Sequence, residues 1–297
     1  MACFYPLKAY RTDSGQIVFV ENKKHGGIAK AMELPCGQCI GCRLERSRQW
    51  AMRCEHEAQL HDQNAFITCT YDEEHLPKRG QLIYAHWQAF MRRLRKRTGK
   101  KIRFFMAGEY GEINGRPHYH AIIFGHDWPD KQPVTQLGNN KYFTSEILHK
   151  TWGHGKCIIG ECTFESAAYV ARYCLKKING PMAEEHYKRQ DEEGEYQLTK
   201  EFAHMSLKPG VGMEWYKKYK TDVYPHDYVV VRGMKMKPPK YYDKKYKEDE
   251  PENAEWLEYE REKKAETELW NNTEKRLLVR ETVAKAKIKN TMLRDKT

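Results

Sequence analysis

The chain has 297 residues, of which 40% are hydrophobic, so it is large enough to bury a core of its own. Its formal charge of +11 favours a polyanionic partner, because contacts of Lys and Arg with phosphates release counterions. It contains no run of about 18 apolar residues and no recognisable secretory signal at its start, so we expect neither a membrane-spanning helix nor export. In the reducing cytosol that these features predict, the nine cysteines are expected to be thiols or metal ligands rather than disulfides.

Residues 1–62 are predicted to form short strands, a cysteine-rich loop and a basic helix. Ile17 to Val20 is apolar and β-prone, as expected for a short strand. Apolar residues recur at helical spacing among charges over residues 41–62. Arginines on that helix could contact a phosphate backbone. They are Arg43, Arg46, Arg48 and Arg53.

Three cysteines precede this helix at even spacing, Cys36, Cys39 and Cys42. Cys-x-x-Cys is a common zinc-binding spacing, and the intervening glycines permit its tight turns. A closed site needs a fourth ligand, for which Cys3 is the first choice and Cys54, on the helix, the second. The alternatives are a redox or packing role for the thiols, or an iron–sulfur cluster, which also needs a fourth cysteine. We expect a structural Zn²⁺ if the site is closed.

A buried strand and a second basic helix follow. Ala65–Tyr71 reads as the strand, and residues 84–98 as the helix, ended by Gly99. The basic side chains of this helix are the densest in the chain and predict a DNA-binding surface. They are Arg92, Arg93, Arg95, Lys96 and Arg97. The interleaved aromatics Tyr84, Trp87 and Phe90 could stack on bases, or form the core face of the helix.

Two histidines begin the most informative segment, Arg116–Phe124. Side chains alternate between the faces of a strand, so His118 and His120 point the same way and can bind one metal ion. If residues 103–109 and 117–124 form a hairpin, Glu109 lies near His118. A carboxylate and two imidazoles suit Mg²⁺ or Mn²⁺ with positions left for phosphate and water. Glu112 is the reserve ligand, and two structural histidines are the alternative.

A tyrosine-bearing helix is predicted over residues 164–177, after a polar loop and a strand at Lys156–Ile159. Tyr169, Tyr173 and Lys176 share a helical face. Two phenols near one activated phosphate allow two successive transesterifications, with a lysine balancing the phosphate charge; Lys177 is a second candidate for that role. Tyrosines at this spacing can also simply pack on a core.

The rest of the chain carries weaker signals. Residues 181–200 show no hydrophobic periodicity, which predicts a loop or linker. Residues 207–228 are rich in aromatic residues and are expected to pack on the main domain. The composition after residue 238 predicts a charged, partly helical tail. The expected segments are therefore 1–62, a core at 63–180, a linker and accessory segment at 181–237, and the tail at 238–297.

Three motifs in this order resemble the HUH endonucleases that initiate rolling-circle replication, and more narrowly the replication initiators of microviruses of the gokushovirus type. Phe66–Tyr71 resembles the first motif, whose chemical role is unclear. Pro117–His120 resembles the metal motif, for which Glu109 fits as the third ligand. Tyr169–Lys177 resembles the paired-tyrosine motif. The resemblance covers roughly residues 34–180. It implies an α+β fold with a ferredoxin-like or RRM-like palm and a central antiparallel sheet.

The resemblance also implies a function. Such proteins nick a single-stranded phage origin, stay attached to the 5′-phosphate and rejoin strands to release circular genomes in the host bacterial cytoplasm, relying on host helicase and polymerase. This chain has no phosphate-binding loop of the Walker type with which to unwind DNA itself. Two other hypotheses stay open: a transposase or relaxase of a mobile element with the same chemistry, and a non-catalytic single-stranded DNA-binding protein.

Overall fold

The computed structural model divides into two compact units. One consists of residues 47–249 and the other of residues 1–46 together with 250–297. The residues that the structure describes are 3–12, 14–20, 30–111, 114–138, 140–173 and 182–294. Within them, no helix is long and apolar enough to cross a membrane.

The smaller unit begins with short strands, as predicted. Strands β1 (Leu7–Arg11), β2 (Ile17–Val18) and β3 (Lys30–Leu34) form an antiparallel sheet in the order β2-β1-β3. Helix α1 (Ile40–Ala58) starts in this unit and continues in the larger one. Its start and end lie close to the predicted range of 41–62.

An antiparallel sheet forms the centre of the larger unit. The strands of this unit are β4 (Asn64–Thr70), β5 (Arg103–Tyr110), β6 (Pro117–Phe124), β7 (Gln132–Leu137), β8 (Asn140–Thr144), β9 (Cys157–Glu161), β10 (Lys188–Asp191), β11 (Gly194–Gln197), β12 (Phe202–Met205), β13 (Val229–Val231) and β14 (Met234–Met236). Among the described residues, seven of them make one sheet in the order β12-β5-β6-β4-β9-β8-β7. This confirms the expected central antiparallel sheet.

Helices cover both faces of the sheet. On one face, β4 and β6 pack through alternate residues such as Ile67 and Tyr119 against α2 (Tyr84–Thr98) and α3 (Glu146–Trp152). On the other face, Phe66 and Ile122 pack against α1 and α4 (Phe164–Tyr173). Apart from the strands β7 and β8, which are inserted between β6 and α3, the succession β4-α2-β5-β6-α3-β9 is the βαββαβ arrangement of ferredoxin-like folds. The α+β fold class is therefore confirmed.

Helix α2 ends where the sequence predicts. Gly99 adopts the left-handed conformation at φ 66° and its N–H donates to the carbonyl of Arg95. Glycine takes this conformation without steric cost, so it is the usual residue after a helix. The core side of α2 is buried through Trp87, Phe90 and Leu94.

Two segments that were expected to be loops contain regular structure. Residues 182–197 form helix α5 (Met182–Tyr187) and the hairpin β10–β11, and the polar segment before β9 contains β7, β8 and α3. The hairpin is exposed and held by ion pairs, among them Arg79 with Asp191 and Lys188 with Glu195. A strand that buries neither face has no hydrophobic alternation, so its sequence gives no period-2 signal.

The remaining helices follow the aromatic-rich segment. In the larger unit, α6 (Met213–Val223) and α7 (Lys240–Asp249) pack through the buried rings of Tyr216 and Tyr242. The smaller unit contains α8 (Pro251–Glu266) and α9 (Glu274–Arg294). The tail is helical over most of its described length.

Candidate active site

The β5–β6 hairpin brings the three predicted ligands to one face of the sheet. Its register pairs Glu109 with His118 and Ala107 with His120. Since alternate residues of a strand share a face, the carboxylate and both imidazoles project to the same side. That side is the face covered by α1 and α4, because Ile122 and Phe124 of the same strand pack there. The reserve ligand Glu112 lies outside the described residues.

The two imidazoles converge on one carboxylate oxygen. His118 Nε2 lies 2.8 Å from Glu109 Oε1, and His120 Nε2 lies 3.0 Å from the same atom. One ligand atom from each residue lies within 4.8 Å of the others. Two nitrogens and a carboxylate oxygen at this separation fit the coordination of a divalent ion such as Mg²⁺ or Mn²⁺.

Charge at this site is concentrated on Glu109, which is only 2% exposed. Burial alone would raise the pKa of its carboxyl group, but the hydrogen bonds with His118 and His120 outweigh burial and lower that pKa to about 2. The carboxylate therefore carries its negative charge throughout the neutral pH range. A buried anion flanked by imidazoles is a favourable place for a cation.

Both imidazoles are oriented through their other ring nitrogen. His118 Nδ1 lies 3.0 Å from the carbonyl oxygen of Arg116, and His120 Nδ1 lies 2.9 Å from Thr68 Oγ1. A carbonyl oxygen only accepts, so the Nδ1 of His118 carries the proton in that hydrogen bond. Partners of this kind fix the ring so that Nε2 faces the metal position.

Tyr169 of α4 stands beside this group. Its ring centroid is 5.3 Å from that of His120 with the planes at 83°, and 6.1 Å from that of Phe66 with the planes at 84°. Helix α4 is held against the sheet by Ala167, Val170 and Ala171, which are buried in the core on this face. The structure thus brings the first predicted nucleophile to the predicted metal ligands.

The second half of the tyrosine motif is only partly described. Tyr173 is the last residue of α4, one helical turn beyond Tyr169, and its side chain lies outside the described part. Lys176 and Lys177 also lie outside the described residues. Their roles rest on the helical spacing of the sequence.

Comparison with known proteins identifies the family. The model of the replication-associated protein ORF2 family matches residues 64–178. Replication-associated protein VP4 of Bdellovibrio phage phiMH2K is 35% identical over 271 residues, covering 88% of this chain and 81% of that protein. The chain belongs to the phage replication-associated proteins. It is a microvirus-like rolling-circle initiator.

Two further relatives agree with this assignment. Replication-associated protein ORF2 of Spiroplasma virus 4 is 30% identical over 287 residues, which cover 89% of this chain and 86% of that protein. Replication-associated protein ORF4 of Chlamydia phage 1 is 36% identical over 154 residues, covering 49% of this chain and 38% of that protein. No solved structure matches the chain. The matched family region contains Glu109, His118, His120 and Tyr169.

A second group of potential ligands lies in the smaller unit of this replication-associated protein. It consists of Cys3, Cys36, Cys39 and Cys42, whose Sγ atoms lie within 4.8 Å of one another. The geometry selects Cys3 as the fourth member, whereas Cys54 is buried in the core of the larger unit. Here and below, these residues are called the four-cysteine site.

Backbone N–H groups point at the sulfurs of the four-cysteine site. The N–H groups of Phe4 and Cys36 lie 3.3 Å from Cys39 Sγ and 3.2 Å from Cys3 Sγ, respectively. Burial raises the pKa of Cys39, but hydrogen bonds from the N–H groups of Phe4 and Cys42 help to lower it to about 7. N–H groups that surround sulfur stabilise the thiolate, which is the form that binds metal.

The basic helix α2 lies on the sheet face opposite the metal ligands. Its aromatic residues Trp87 and Phe90 are buried in the core and cannot stack on bases, so the alternative of a core face is correct. Arg93 donates to the carbonyls of Thr151 and Trp152, and Arg95 donates to that of Ile102. The other basic residues of this helix, Arg92, Lys96 and Arg97, are exposed.

The arginines of α1 are also partly structural. Arg53 is 9% exposed, donates to the carbonyl of Val211 and lies over the rings of Trp50 and Tyr241. Arg48 donates to the carbonyl of Lys237. Sequence reasoning could not separate these bracing arginines from DNA-binding ones, because both kinds occur on the polar side of an amphipathic helix.

Sequence reasoning missed the contribution of Thr68 and Phe66. The motif Phe66–Tyr71 was noted, but without a chemical role. The signal was the pairing of β4 with β6, in which Thr68 stands directly opposite His120. That register becomes visible only when the partner strand of β4 is known.

Proposed function

We propose that this replication-associated protein nicks single-stranded DNA at a phage origin by tyrosine transesterification. It then stays bound to the 5′-phosphate and rejoins strands to release circular genomes in the host cytoplasm. The observation that supports this most directly is the Tyr169 ring 5.3 Å from the ring of His120, a member of the Glu109–His118–His120 group. The relatives' names support a role in phage replication.

The residues Glu109, His118 and His120 would hold Mg²⁺ or Mn²⁺. Such an ion polarises a scissile phosphate and neutralises charge that develops on its oxygens. Glu109 would supply an anionic oxygen ligand, and the two histidines would supply neutral nitrogen ligands. The Arg116 carbonyl and Thr68 hydroxyl hold the rings of His118 and His120, so that both Nε2 atoms face the ion.

The phenol oxygen of Tyr169 attacks the phosphorus atom and loses its proton to solvent. The bond between phosphorus and the 3′ oxygen breaks, and the 3′ oxygen takes a proton from solvent and leaves as a hydroxyl. The new phosphotyrosine ester conserves the energy of the broken bond, so that a 3′-hydroxyl can later attack it and regenerate the phenol. Tyr173, one turn further along α4, would perform the other of the two transfers, in either order, with Lys176 or Lys177 balancing the phosphate charge.

A denaturing gel tests this proposal. The full-length protein is incubated with labelled single strands that contain the phage origin and Mn²⁺, and a band that survives denaturation marks the covalent adduct. We expect Tyr169→Phe and Tyr173→Phe each to leave one partial reaction, and the double variant to lose the adduct. Tyr259→Phe is the matched control, since Tyr259 is 60% exposed on α8. An adduct in the double variant would disprove the assignment.

The same experiment separates the two competing functions. A non-catalytic single-stranded DNA-binding protein would shift the DNA on a native gel but leave no covalent band. A transposase or relaxase would form the adduct with the ends of a mobile element or a transfer origin, and not with the phage origin. Host helicase and polymerase would provide unwinding and synthesis.

We also propose Zn²⁺ as the ion of the four-cysteine site. Four sulfur ligands form the closed tetrahedral shell of structural zinc, with no position open for a substrate. The N-terminal sheet of the smaller unit leaves apolar side chains exposed, such as Leu7 at 45%, Ile17 at 48% and Phe19 at 61%. A sheet that buries so little apolar surface gains stability from a bound metal.

Metal analysis of protein purified without chelators tests the zinc proposal. We expect one equivalent of zinc in the wild-type protein and the same amount in the His118→Ala variant. That result would show that the zinc is not bound by the Glu109–His118–His120 group. A content below about a tenth of an equivalent would rule the site out, because structural zinc survives purification.

A further inference from the structure

We propose that Thr68 and Phe66 of strand β4 are positioning residues that set the nucleophile against the metal ligands. The inference deepens the proposed function, because it assumes that Tyr169 and His120 act at one phosphate. The metal ligand stands on β6 and the nucleophile on α4, so their separation depends on what lies between these elements. Strand β4 neighbours β6 in the sheet, and its Phe66 side chain contacts both rings.

Thr68 acts on His120 through a single hydrogen bond. The two residues are direct partners in the β4–β6 register, and Thr68 Oγ1 lies 2.9 Å from His120 Nδ1. To bind a cation, His120 must present the lone pair of Nε2, so the ring proton has to sit on Nδ1 and be donated to an acceptor. The threonine hydroxyl is that acceptor, and its β-branched side chain restricts the position of the oxygen.

Phe66 acts on both His120 and Tyr169. It lies two residues before Thr68 and therefore on the same face of β4. Its ring is nearly parallel to that of His120, with centroids 5.9 Å apart and planes at 7°, and meets Tyr169 edge-on at 6.1 Å. With the contact of 5.3 Å between His120 and Tyr169, the three rings form a closed triangle.

The neighbouring strand leaves room for the Phe66 ring. Gly160 of β9 pairs with Phe66, and a Cβ atom at Gly160 would lie 3.1 Å from Phe66 Cδ1. Such a contact is too close for ordinary packing, so a larger residue would push the ring towards His120 or Tyr169. The glycine therefore fits the ring position that the triangle requires.

These contacts assign a role to the segment Phe66–Tyr71, which the sequence alone left without one. Alternate residues of one strand hold a metal ligand by a hydrogen bond and place an aromatic ring against both that ligand and the nucleophile. Partners of metal-bound histidines usually affect affinity by roughly 10–100-fold. A nucleophile displaced by about 1 Å can slow a reaction by about 100-fold.

Mn²⁺ titration of the full-length protein tests the role of Thr68, with electron paramagnetic resonance as readout. We expect Thr68→Val to weaken Mn²⁺ binding by roughly 10-fold or more, since valine keeps the shape but removes the acceptor. Thr68→Ser should restore binding. Thr135→Val, at an exposed position of the edge strand β7, is the control for a threonine-to-valine change, and we expect it to leave affinity within about twofold of the wild type. Unchanged affinity in Thr68→Val would overturn the role, whether or not the protein nicks DNA.

The adduct assay tests Phe66. We expect Phe66→Leu to slow adduct formation by about 10-fold or more at saturating Mn²⁺, and DNA binding on native gels to persist. Phe104→Leu is the control for general loss of packing, because Phe104 lies in the core on the opposite face. Equal rates in these two variants would contradict the positioning role. If the wild-type protein formed no adduct, the proposed function would fail. The Mn²⁺ titration of Thr68→Val would still test whether Thr68 supports metal binding by His120.

Discussion

The Glu109–His118–His120 group and the four-cysteine site are built in opposite ways. The first stands on two paired strands inside a large core, and its residues are oriented by a carbonyl and a hydroxyl. The second gathers a residue before β1 and three residues between β3 and the first turn of α1. The surrounding fold holds the first set in place, whereas we expect the second set to need a bound metal to hold the chain.

This difference predicts different consequences of losing the ion. A group held by strands keeps its geometry without metal, so removal of Mg²⁺ or Mn²⁺ should stop chemistry and leave the fold intact. A sulfur cluster in a unit with little buried surface should lose structure together with its ion, because binding energy there is folding energy.

The largest expected effect follows from His120→Ala. The variant removes one of the three predicted metal ligands and the imidazole ring that packs against Phe66 and Tyr169. We therefore expect Mn²⁺ binding and adduct formation to fall below detection. The melting curve should stay close to that of the wild type, since the sheet is unchanged. His226→Ala, at an exposed position, is the control and should retain activity. Residual nicking at a tenth of the wild-type rate or more would show that His120 is not a ligand.

The next effect tests the other site. Cys36→Ser removes one of four sulfurs, and we expect loss of the bound zinc and rapid proteolysis of the N-terminal strands. Cys162→Ser removes a half-buried thiol of the larger unit and should keep one equivalent of zinc. In Co²⁺-substituted protein, the intense charge-transfer absorption of cobalt thiolates should vanish only in Cys36→Ser. Full zinc content in that variant would mean that the cluster is not closed by Cys36.

The contrast also explains what the sequence could reveal. His118, His120 and Glu109 were predictable because a strand repeats every two residues and a hairpin places its ends side by side. Tyr169 was predictable by motif, but its contact with His120 depends on how α4 packs. The hairpin β10–β11 was missed because ion pairs rather than a buried face hold it. The bonds of Arg53 and Arg93 to backbone carbonyls are long-range contacts that no local pattern records.

Acid should weaken the larger unit through a buried histidine of α1 that is not one of the predicted metal ligands. His56 of α1 is buried, stacks on Trp215 at 3.5 Å and hydrogen-bonds the Tyr242 hydroxyl. Burial lowers its pKa to about 3, whereas the unfolded chain has a value of about 6.5. The unfolded state therefore binds more protons below pH 6.5, so stability is complete above that pH and falls as the pH decreases towards 3.

Urea unfolding at two pH values measures this effect. Between pH 7 and pH 5 we expect a loss of about 2 kcal/mol attributable to His56, which is an upper figure for a fully buried group. His56→Gln should flatten this dependence, whereas His226→Gln should not. Zinc content is followed in parallel, because protonation of thiolates can release the metal from the four-cysteine site in the same range. An equal slope in His56→Gln would assign the acid sensitivity to other groups.

The smallest effect concerns the basic helix α2, which lies across the sheet from Tyr169. Arg93 and Arg95 are occupied with backbone carbonyls, so Arg97, which is exposed, is the cleaner probe. We expect Arg97→Glu to weaken single-stranded DNA binding a few-fold and to reduce the salt slope by about one. The adduct rate at saturating DNA should not change, because no reacting group lies on that face. Lys264→Glu on α8 is the control for net charge. A salt slope equal to that of the wild type would confine the DNA path to the face that carries Glu109, His118 and His120, and would leave α2 with a purely structural task.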